Sequence, residues 1–329
     1  MIPPVSSKPG LSVYLPTQRL HPMLNGRNIL LTCALFSFAA PAAQSGSLVY
    51  VVTGGITGNG AFGTMDLSTG QFNQLGPNEP DGYDGLAPGP NGSLYTLTYA
   101  GNIVSINPGT GTPTQVGPSG LSPCVIPSSA CSPNSGFLLG GSGGKLYATD
   151  FANNLYVVNP VTGLATLIGA TGIPAFPYVP GTQNPDGTSN LGDEALFSAG
   201  GKLYAISDAF VFDFSTGSVV NVVTAPKLYL IDPFTGHATS IASVELGLGA
   251  AVEAAGTVYA FNEGESAIET LNLTTGASSA VANFDPADGL ILGASTVATP
   301  EPASSVLLLF GLGLVVTAKT MKRASVKAG

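Results

Sequence analysis

A short pattern of apolar and polar positions recurs along the central part of the chain. Its clearest copy, residues 155–163, is an apolar-rich run that ends in Asn-Pro-Val-Thr-Gly, and close copies occupy 103–111 and 228–236. Looser copies occupy 62–70 and 268–276. Asn or Asp opens a type I turn by bonding its own backbone, and Gly supplies the left-handed residue that such a hairpin requires. Each copy therefore predicts a β-hairpin.

A second element, a Leu-Tyr or Val-Tyr pair, precedes each hairpin. The tyrosines are separated by 45, 52, 57 and 55 residues, and they are Tyr50, Tyr95, Tyr147, Tyr204 and Tyr259. Repeats of this length that consist of short strands and turns are typical of propeller blades. The composition agrees, because 44 Gly and 26 Pro among 329 residues, with only 9% charged residues, favour short strands over helices.

Each repeat divides into four short strands, except that the first repeat lacks its initial strand. An apolar run at 289–297 supplies a strand after the last repeat. We therefore predict an all-β fold over residues 44–298, a β-propeller of five four-stranded blades. Pairing of the strand near Ile291 with the strand near Val49 closes this predicted ring and removes exposed sheet edges.

The three longest connections lie at 117–136, 170–193 and 205–225. The first two join the last strand of one blade to the first strand of the next. The third joins the second and third strands of one blade and contains an extra hairpin at 212–217. Because strand directions alternate, both kinds of connection emerge on the same side, which we call the loop-rich face. We predict that this face binds a glycan or a protein, with unselected loop drift as the alternative.

The charged residues are unevenly placed. Between Gln44 and Glu301 there are 19 acids and three lysines, a net charge of −16. A segment this acidic is unsuited to nucleic acid, because phosphate contacts need Lys and Arg. Cys124 and Cys131 flank a short loop in this segment. A disulfide between them would suit an oxidising compartment, and two free thiols are the alternative.

Both ends of the chain have the patterns of targeting segments. Residues 1–43 contain a basic start, an apolar run and a small-residue exit, which predict a secretory signal peptide with a signal helix; Met23 is an alternative start. The C-terminal segment, 299–329, contains an apolar helix at 303–318 followed by a basic tail. This helix is somewhat short for a membrane span, and its basic end is expected to stay in the cytoplasm, with the body outside.

The C-terminal segment also has a specific resemblance. Pro300, Glu301 and Pro302, the apolar stretch, and the basic Lys322 and Arg323 resemble the PEP-CTERM sorting signal of exopolysaccharide-producing Gram-negative bacteria. The resemblance implies Sec-dependent export, recognition by an exosortase, a transient inner-membrane anchor, and a final location in the cell envelope or outside the cell. Such tails are also called the C-terminal domain of ice-binding proteins, a label that does not itself imply ice binding. The body is similar to YncE-like propellers with Asp-Pro-x-Thr-Gly repeats.

Candidate chemistry in the body is sparse. His237 is the single histidine there, and the repeat places it at a solvent-facing hairpin position. The body has no Cys/His pair, phosphate loop or histidine metal set, so we predict no catalytic residue and no cofactor. Asp81, Asp84, Asp186 and Asp193 lie in acidic connections and are weak candidates for calcium ligands. Acidic turns without a bound ion are the alternative.

These patterns favour an exported, non-catalytic propeller that binds a glycan or protein ligand in the cell envelope or extracellular matrix. Two alternatives stay open. One is a metal-dependent propeller hydrolase, similar to a lactonase, with central carboxylates around its metal. The other is a structural matrix protein without a discrete ligand.

Overall fold

The structure, a computed structural model, describes residues 48–54, 60–121, 136–150, 152–174, 184–191, 194–213, 215–216 and 218–296. These described residues form strands, turns and two short 3-10 helices, Pro90–Gly92 and Pro286–Asp288. The first strands are β1 (Leu48–Gly54), β2 (Ala61–Asp66), β3 (Phe72–Gln74), β4 (Asp84–Pro88), β5 (Leu94–Leu97), β6 (Asn102–Ile106) and β7 (Pro113–Pro118). They continue with β8 (Gly136–Ser142), β9 (Lys145–Asp150), β10 (Asn154–Val158), β11 (Ala165–Ala170), β12 (Ser189–Leu191), β13 (Glu194–Ala199) and β14 (Lys202–Asp213). The last are β15 (Ser218–Ile231), β16 (Ala238–Ser243), β17 (Leu248–Ala254), β18 (Thr257–Asn262), β19 (Ala267–Leu271), β20 (Ser278–Asn283) and β21 (Leu290–Ser295).

The strands form five antiparallel sheets, the blades of a propeller, as the repeats predict. Blade 1 is β21-β1-β2-β3, blade 2 is β4-β5-β6-β7, and blade 3 is β11-β10-β9-β8. Blade 4 contains β13, β14, β15 and β16, with β12 added beside β14, and blade 5 is β17-β18-β19-β20. The prediction of five four-stranded blades is confirmed, with one additional strand in blade 4.

The ring is closed by strands from the two ends of the body. β21 pairs antiparallel with β1, and Ile291 lies opposite Thr53. Blade 1 therefore takes its innermost strand from the end of the body and its other three from the beginning. This pairing is the closure that the missing first strand predicts, and it leaves no open gap between the first and last repeats.

The five hydrophobic core clusters lie between blades. One cluster contains Val49 of blade 1 and Phe261 of blade 5, and another contains Leu155 of blade 3 and Leu203 of blade 4. The other three clusters join blades 4 and 5, blades 2 and 3, and blades 1 and 2. Since each blade buries its faces only against its neighbours, the blades depend on one another for stability.

Glycines let the innermost strands approach closely around the axis. A Cβ atom on Gly85 would meet the backbone of Leu139 in the next blade, and a Cβ atom on Gly293 would meet the backbone of Gly85. Gly85 also has a positive φ of 68°, which L-residues rarely adopt. The space left at one end of the axis is about 80 Å³, and its lining combines apolar residues with the polar residues Ser198, Glu253, Ser295 and Thr296.

The repeated hairpins have the turn chemistry that the sequence predicts. In each, the side-chain oxygen of the opening Asp or Asn accepts a hydrogen bond of 2.8 or 2.9 Å from the amide two residues later, at Asp66, Asn107, Asn159, Asp232 and Asn272. The closing glycines have positive φ angles between 66° and 83°, and they are Gly70, Gly111, Gly163, Gly236 and Gly276. Each of these five turns is therefore specified locally.

Blade 4 differs from the sequence interpretation at its long internal connection. The predicted extra hairpin is present as the tip of a longer one: Asp213 pairs with Ser218, and Asp213 Oδ1 accepts a hydrogen bond from the Ser215 amide at 2.8 Å. β14 and β15 continue without a break past the blade and meet near Asp213 and Ser218. β12, from the preceding connection, pairs with β14 from Phe210 to Phe212. Residues Ala209–Asp213 of β14 pair with residues 218–224 of β15. The antiparallel pairing of the blade therefore extends into this connection.

Several predictions concern residues outside the described part of the chain. These are the signal segment 1–43, the C-terminal segment 299–329 with its apolar helix, and Cys124, Cys131 and Asp193. Within the described residues, no helix is both long enough and apolar enough to span a membrane.

Candidate functional site

In blade 4, β14 and β15 continue past the ends of β13 and β16, and this extension is the most unusual surface among the described residues. We call it the arm, and it comprises β12, residues 209–213 of β14, and residues 218–224 of β15. The side of the arm nearest the blade is buried at Ala209 and Phe210. The arm is thus a small three-stranded sheet that is continuous with the propeller through β14 and β15.

The turn before β12 is held by local hydrogen bonds. Asp186 Oδ1 accepts hydrogen bonds from the Thr188 amide at 3.0 Å and from the Thr188 hydroxyl at 2.7 Å. These bonds lower the pKa of Asp186, and the charge of Asp213 at the arm tip opposes that shift. Asp186, which the sequence marks as a calcium candidate, therefore already uses its carboxylate to form a turn.

The outer edge of the arm is uncharged and apolar. Between Ser218 and Thr224, β15 pairs with β14 alone within the described residues, because β16 pairs only from Lys227 onward. Four valines there are 38%, 58%, 46% and 42% exposed, and they are Val219, Val220, Val222 and Val223. Natural proteins usually protect such an edge with charge or proline, because free backbone groups attract other strands.

A second unusual feature is a group of three glutamates at the junction of blades 4 and 5. Glu245 lies in the connection from β16 to β17, Glu265 in the turn from β18 to β19, and Glu269 in β19. One carboxylate oxygen from each lies within 4.8 Å of the other two. Within the part of the chain that the structure describes, this is the one such group of three acids, cysteines or histidines.

Neighbouring side chains hold the glutamates in place. The Asn262 amide donates to Glu269 Oε1 at 3.2 Å, and Asn262 Oδ1 accepts from the Glu265 backbone amide at 3.1 Å. The Ser278 hydroxyl donates to Glu245 Oε2 at 2.7 Å. Asn262 is itself buried. Asn262 thus links Glu269 to the backbone of Glu265, and Ser278 orients Glu245.

Glu269 is the buried member of the group. Its side chain is 3% exposed, and its Oε2 atom has no hydrogen-bond partner among the described residues. Burial raises the pKa of Glu269, the charges of Glu245 and Glu265 raise it further, and the nearby Ser278 hydroxyl and the hydrogen bond from Asn262 oppose the rise. An ionised Glu269 is therefore costly in this position unless a cation is present.

The other acidic candidates lie elsewhere. Asp81 is exposed and Asp84 is buried, and neither they nor Asp186 belong to a group of three close ligands among the described residues. Burial raises the pKa of Tyr99 strongly, and the charges of Asp84 and Glu263 add to this effect. Calcium binding at the predicted aspartates stays a prediction, and the group that the structure brings together is a different one.

The cavity at one end of the central axis is small, about 80 Å³. It is lined by residues from all five innermost strands, including Leu86, Phe197 and Val252. Asp150, which is fully buried, accepts hydrogen bonds from the Asn154 amide and side chain and from the Tyr156 hydroxyl. These bonds hold Asp150 as part of a turn in blade 3.

His237 is exposed beside the hairpin glycine, as the repeat predicts. The charge of His237 contributes to lowering the pKa of Asp232, after hydrogen bonds from Phe234 and Thr235. His237 therefore lies at the surface, near the acid of its own turn.

The glutamate group was not recognised from the sequence, although a signal for it exists. Glu269 occupies the second position of the fifth hairpin copy, where the other copies have Gly63, Val104, Tyr156 and Tyr229. A charge at a repeat position that is otherwise uncharged indicates a local role beyond the fold. Alignment of the five copies is therefore sufficient to single out Glu269.

Comparisons with known proteins identify the C-terminal segment. Residues 298–323 match the PEP-CTERM protein-sorting motif, so the chain carries this motif behind a five-bladed propeller body. The match includes all five residues of the predicted sorting signal. The motif indicates an exported protein that is sorted through an exosortase. No curated protein sequence is significantly similar to this chain.

Solved structures with a similar arrangement have diverse roles. A nidogen/laminin complex is 11% identical, covering 75% of this chain and 97% of that chain, with a TM-score of 0.43. Virginiamycin B lyase from Staphylococcus aureus is 14% identical, covering 74% and 71%, with a TM-score of 0.36. PQQ-bound aldose sugar dehydrogenase from Streptomyces coelicolor is 13% identical, covering 66% and 85%, with a TM-score of 0.37. At these levels of similarity, the three proteins indicate nothing about what this chain binds.

Proposed function

We propose that this protein is an exported, non-catalytic binding protein of the cell envelope or extracellular matrix, and that it binds a protein partner through the edge of the arm. Export and sorting follow from the PEP-CTERM motif. The observation that supports binding at the arm is the uncharged edge Ser218–Thr224 with its four exposed valines. An incoming strand there gains main-chain hydrogen bonds and apolar contacts at once.

The partner that best fits this edge is a second copy of the chain. The sequence Ser-Val-Val-Asn-Val-Val-Thr from Ser218 to Thr224 reads almost the same in both directions. In an antiparallel pair centred on Asn221, Val219 of one copy faces Val223 of the other, and Val220 faces Val222. Such a pair has a twofold axis and is self-complementary, the commonest arrangement of homodimers.

The shape of the edge is consistent with a specific rather than a general partner. The pairing of β14 with β15 shifts register between Ala209 and Phe210, and again between Val211 and Phe212. Bulges of this kind increase the twist of a strand and discourage pairing with flat strands. A second copy carries the same bulges and the same twist, so it meets the edge with a matching shape.

The test measures the oligomeric state of the exported protein by sedimentation equilibrium. We expect the wild type to form concentration-dependent dimers. For Val222→Lys the dimer dissociation constant should be larger by about tenfold or more, because the twofold axis places the substituted residue in the interface twice. Val281→Lys is the matched control, since Val281 is 45% exposed on the outermost strand of blade 5. It should dimerise like the wild type.

Other outcomes contradict the proposal. A wild type that stays monomeric, or a Val281→Lys variant that is weakened as much as Val222→Lys, excludes the arm as a dimer interface. Saturable binding on a glycan array that Val222→Lys leaves unchanged would support a glycan ligand elsewhere. Turnover of esters or lactones that is lost on chelation would support the metal-dependent hydrolase instead.

A further inference from the structure

We propose that Glu245, Glu265 and Glu269 form a calcium site at the junction of blades 4 and 5. This site is independent of the arm and of its binding partner. Two observations support it besides the proximity of the three acids. One is the buried Glu269 Oε2 atom without a hydrogen-bond partner among the described residues. The other is the position of Glu269 in the repeat, where the other four copies have no charged residue.

The first step concerns the electrostatic cost of the group. Three carboxylates within 4.8 Å of one another repel, and the charges of both neighbours act unfavourably on ionised Glu269. Ser278 has one hydroxyl proton and donates it to Glu245 Oε2, so that proton does not satisfy Glu269. Either a cation or a proton on Glu269 relieves this repulsion, and a cation does so for all three acids together.

The second step concerns the metal. The group consists of carboxylate oxygens, which suit calcium or magnesium rather than zinc or copper. Calcium accepts six to eight oxygens in flexible geometry, so carboxylates from three separate segments, completed by backbone oxygens and water, suit it better than they suit magnesium. Extracellular calcium sites have dissociation constants of roughly 10⁻⁴–10⁻³ M, which sets the range to be searched.

The third step concerns where the ligands are attached. Glu245 belongs to the connection that leaves blade 4, whereas Glu265 and Glu269 belong to blade 5. A bound ion would therefore link the two blades, and it would bind the folded ring but not the unfolded chain. Binding of this kind raises the unfolding temperature progressively as the calcium concentration exceeds the dissociation constant.

The experiment measures calcium binding to the purified full-length protein by calorimetry, together with thermal unfolding in EDTA and in about 0.1–10 mM CaCl₂. We expect binding to the wild type and a rise in its unfolding temperature with calcium. Glu269→Gln should lose both. In EDTA, however, Glu269→Gln should be at least as stable as the wild type, because it removes the repulsion. A merely structural role for Glu269 predicts the opposite sign in EDTA.

Two further variants sharpen the result. Ser278→Ala removes a hydrogen bond to Glu245 without removing a ligand, and we expect calcium affinity to fall about 10–100-fold, as for other supporting residues of metal sites. Asp232→Asn is the control, because Asp232 is an exposed acid in the blade 4 hairpin, outside the group. It should bind calcium like the wild type.

The proposal is overturned if calcium up to about 10 mM produces neither heat nor a shift in unfolding temperature, which would mean that Glu269 is buried in its protonated form. It is also overturned if Glu269→Gln retains the wild-type calcium response, or if Asp232→Asn abolishes it. Tighter binding of magnesium than of calcium in the same titration would show that the site does not prefer calcium.

Discussion

Blades 4 and 5 are neighbours with the same four-strand plan, and they depart from the repeat in opposite ways. In blade 5 the second and third strands are joined by the short turn 263–266, and a carboxylate, Glu269, occupies a buried position. In blade 4 the same two strands continue into the arm, and valines occupy an exposed edge. A buried charge and an exposed apolar strand are both informative exceptions to ordinary burial.

This difference indicates that the repeated residues stabilise the fold. The residues that depart from the repeat, Glu269 in blade 5 and the valines of the arm in blade 4, form the candidate functional sites. Blade 5 is bound to blade 1 through Phe261 and Val49, and to blade 4 through a second apolar cluster. The arm extends beyond these clusters. We therefore expect substitutions at blade junctions to affect unfolding strongly, and substitutions on exposed parts of blade 4 to affect it little.

The largest effect is expected at Phe261, which is fully buried between blades 5 and 1. Phe261→Ala should lower the free energy of unfolding by about 3–5 kcal/mol, because it removes buried apolar surface and leaves a cavity. Phe234 in the blade 4 hairpin is the control. It is 83% exposed, with the Lys145 ammonium 6.0 Å above its ring. Phe234→Ala should cost no more than about 1 kcal/mol.

Denaturant unfolding checks this pair of variants. Equal losses of stability for the two substitutions would contradict the assignment of stability to the junctions between blades.

A smaller effect is expected at the hairpin glycine of blade 5. Gly276 has a φ of 73°, and a Cβ atom there would meet the Ser243 carbonyl of blade 4. Gly276→Ala should cost about 2–4 kcal/mol, from backbone strain and from crowding together. Gly256 has a similar φ of 79° in the same blade, but nothing lies within 4 Å of the added Cβ atom. Gly256→Ala should cost only about 1 kcal/mol.

Thermal unfolding of these two variants separates strain from crowding. If Gly256→Ala is as destabilising as Gly276→Ala, then contact between the blades contributes nothing at this position.

The smallest effects concern pH and have opposite signs in the two blades. Hydrogen bonds from Phe234 and Thr235 lower the pKa of Asp232 in blade 4 below its usual 3.8, so this group stabilises the fold above that pH and the contribution is lost as pH falls. Burial raises the pKa of Glu269 in blade 5 above its usual 4.5, so this group favours the folded state at low pH and opposes it as pH rises.

Unfolding of the variants between about pH 3 and 7 in EDTA tests these signs. Asp232→Asn should be less stable than the wild type near neutral pH, and the difference should shrink towards pH 3. Glu269→Gln should be at least as stable as the wild type near neutral pH, and its difference should vanish below about pH 4.5. Differences that do not change with pH would contradict both assignments.

Much of the fold was predictable because its signals are local. The opening Asn159 accepts a bond from the Val161 amide two residues away, so the sequence of a single turn is sufficient to predict the hairpin. Counting strands per repeat also predicted the closure, since a blade without a first strand requires one from the other end. The extra strand β12 and the continuous arm were missed because strand length depends on which neighbours complete the pairing.

The candidate sites were less predictable because their residues come together only through packing of one blade on another. Glu245 is separated from Glu269 by most of blade 5, and the two meet because the end of β16 packs against the hairpin of blade 5, where Gly276 touches Ser243. The valine-rich edge Ser218–Thr224 was visible as part of an insertion, but not as an unpaired edge. Exposure is a property of the assembled sheet.

The sequence by itself determined the number of blades, the five turns, the strand that closes the ring and the sorting motif at the C-terminus, because each depends on residues close together in the chain or on their regular spacing. The tertiary structure alone decided which glutamates meet, which carboxylate is buried and which edge of blade 4 has no partner. These depend on contacts between blades, and such contacts join residues that are far apart in the chain.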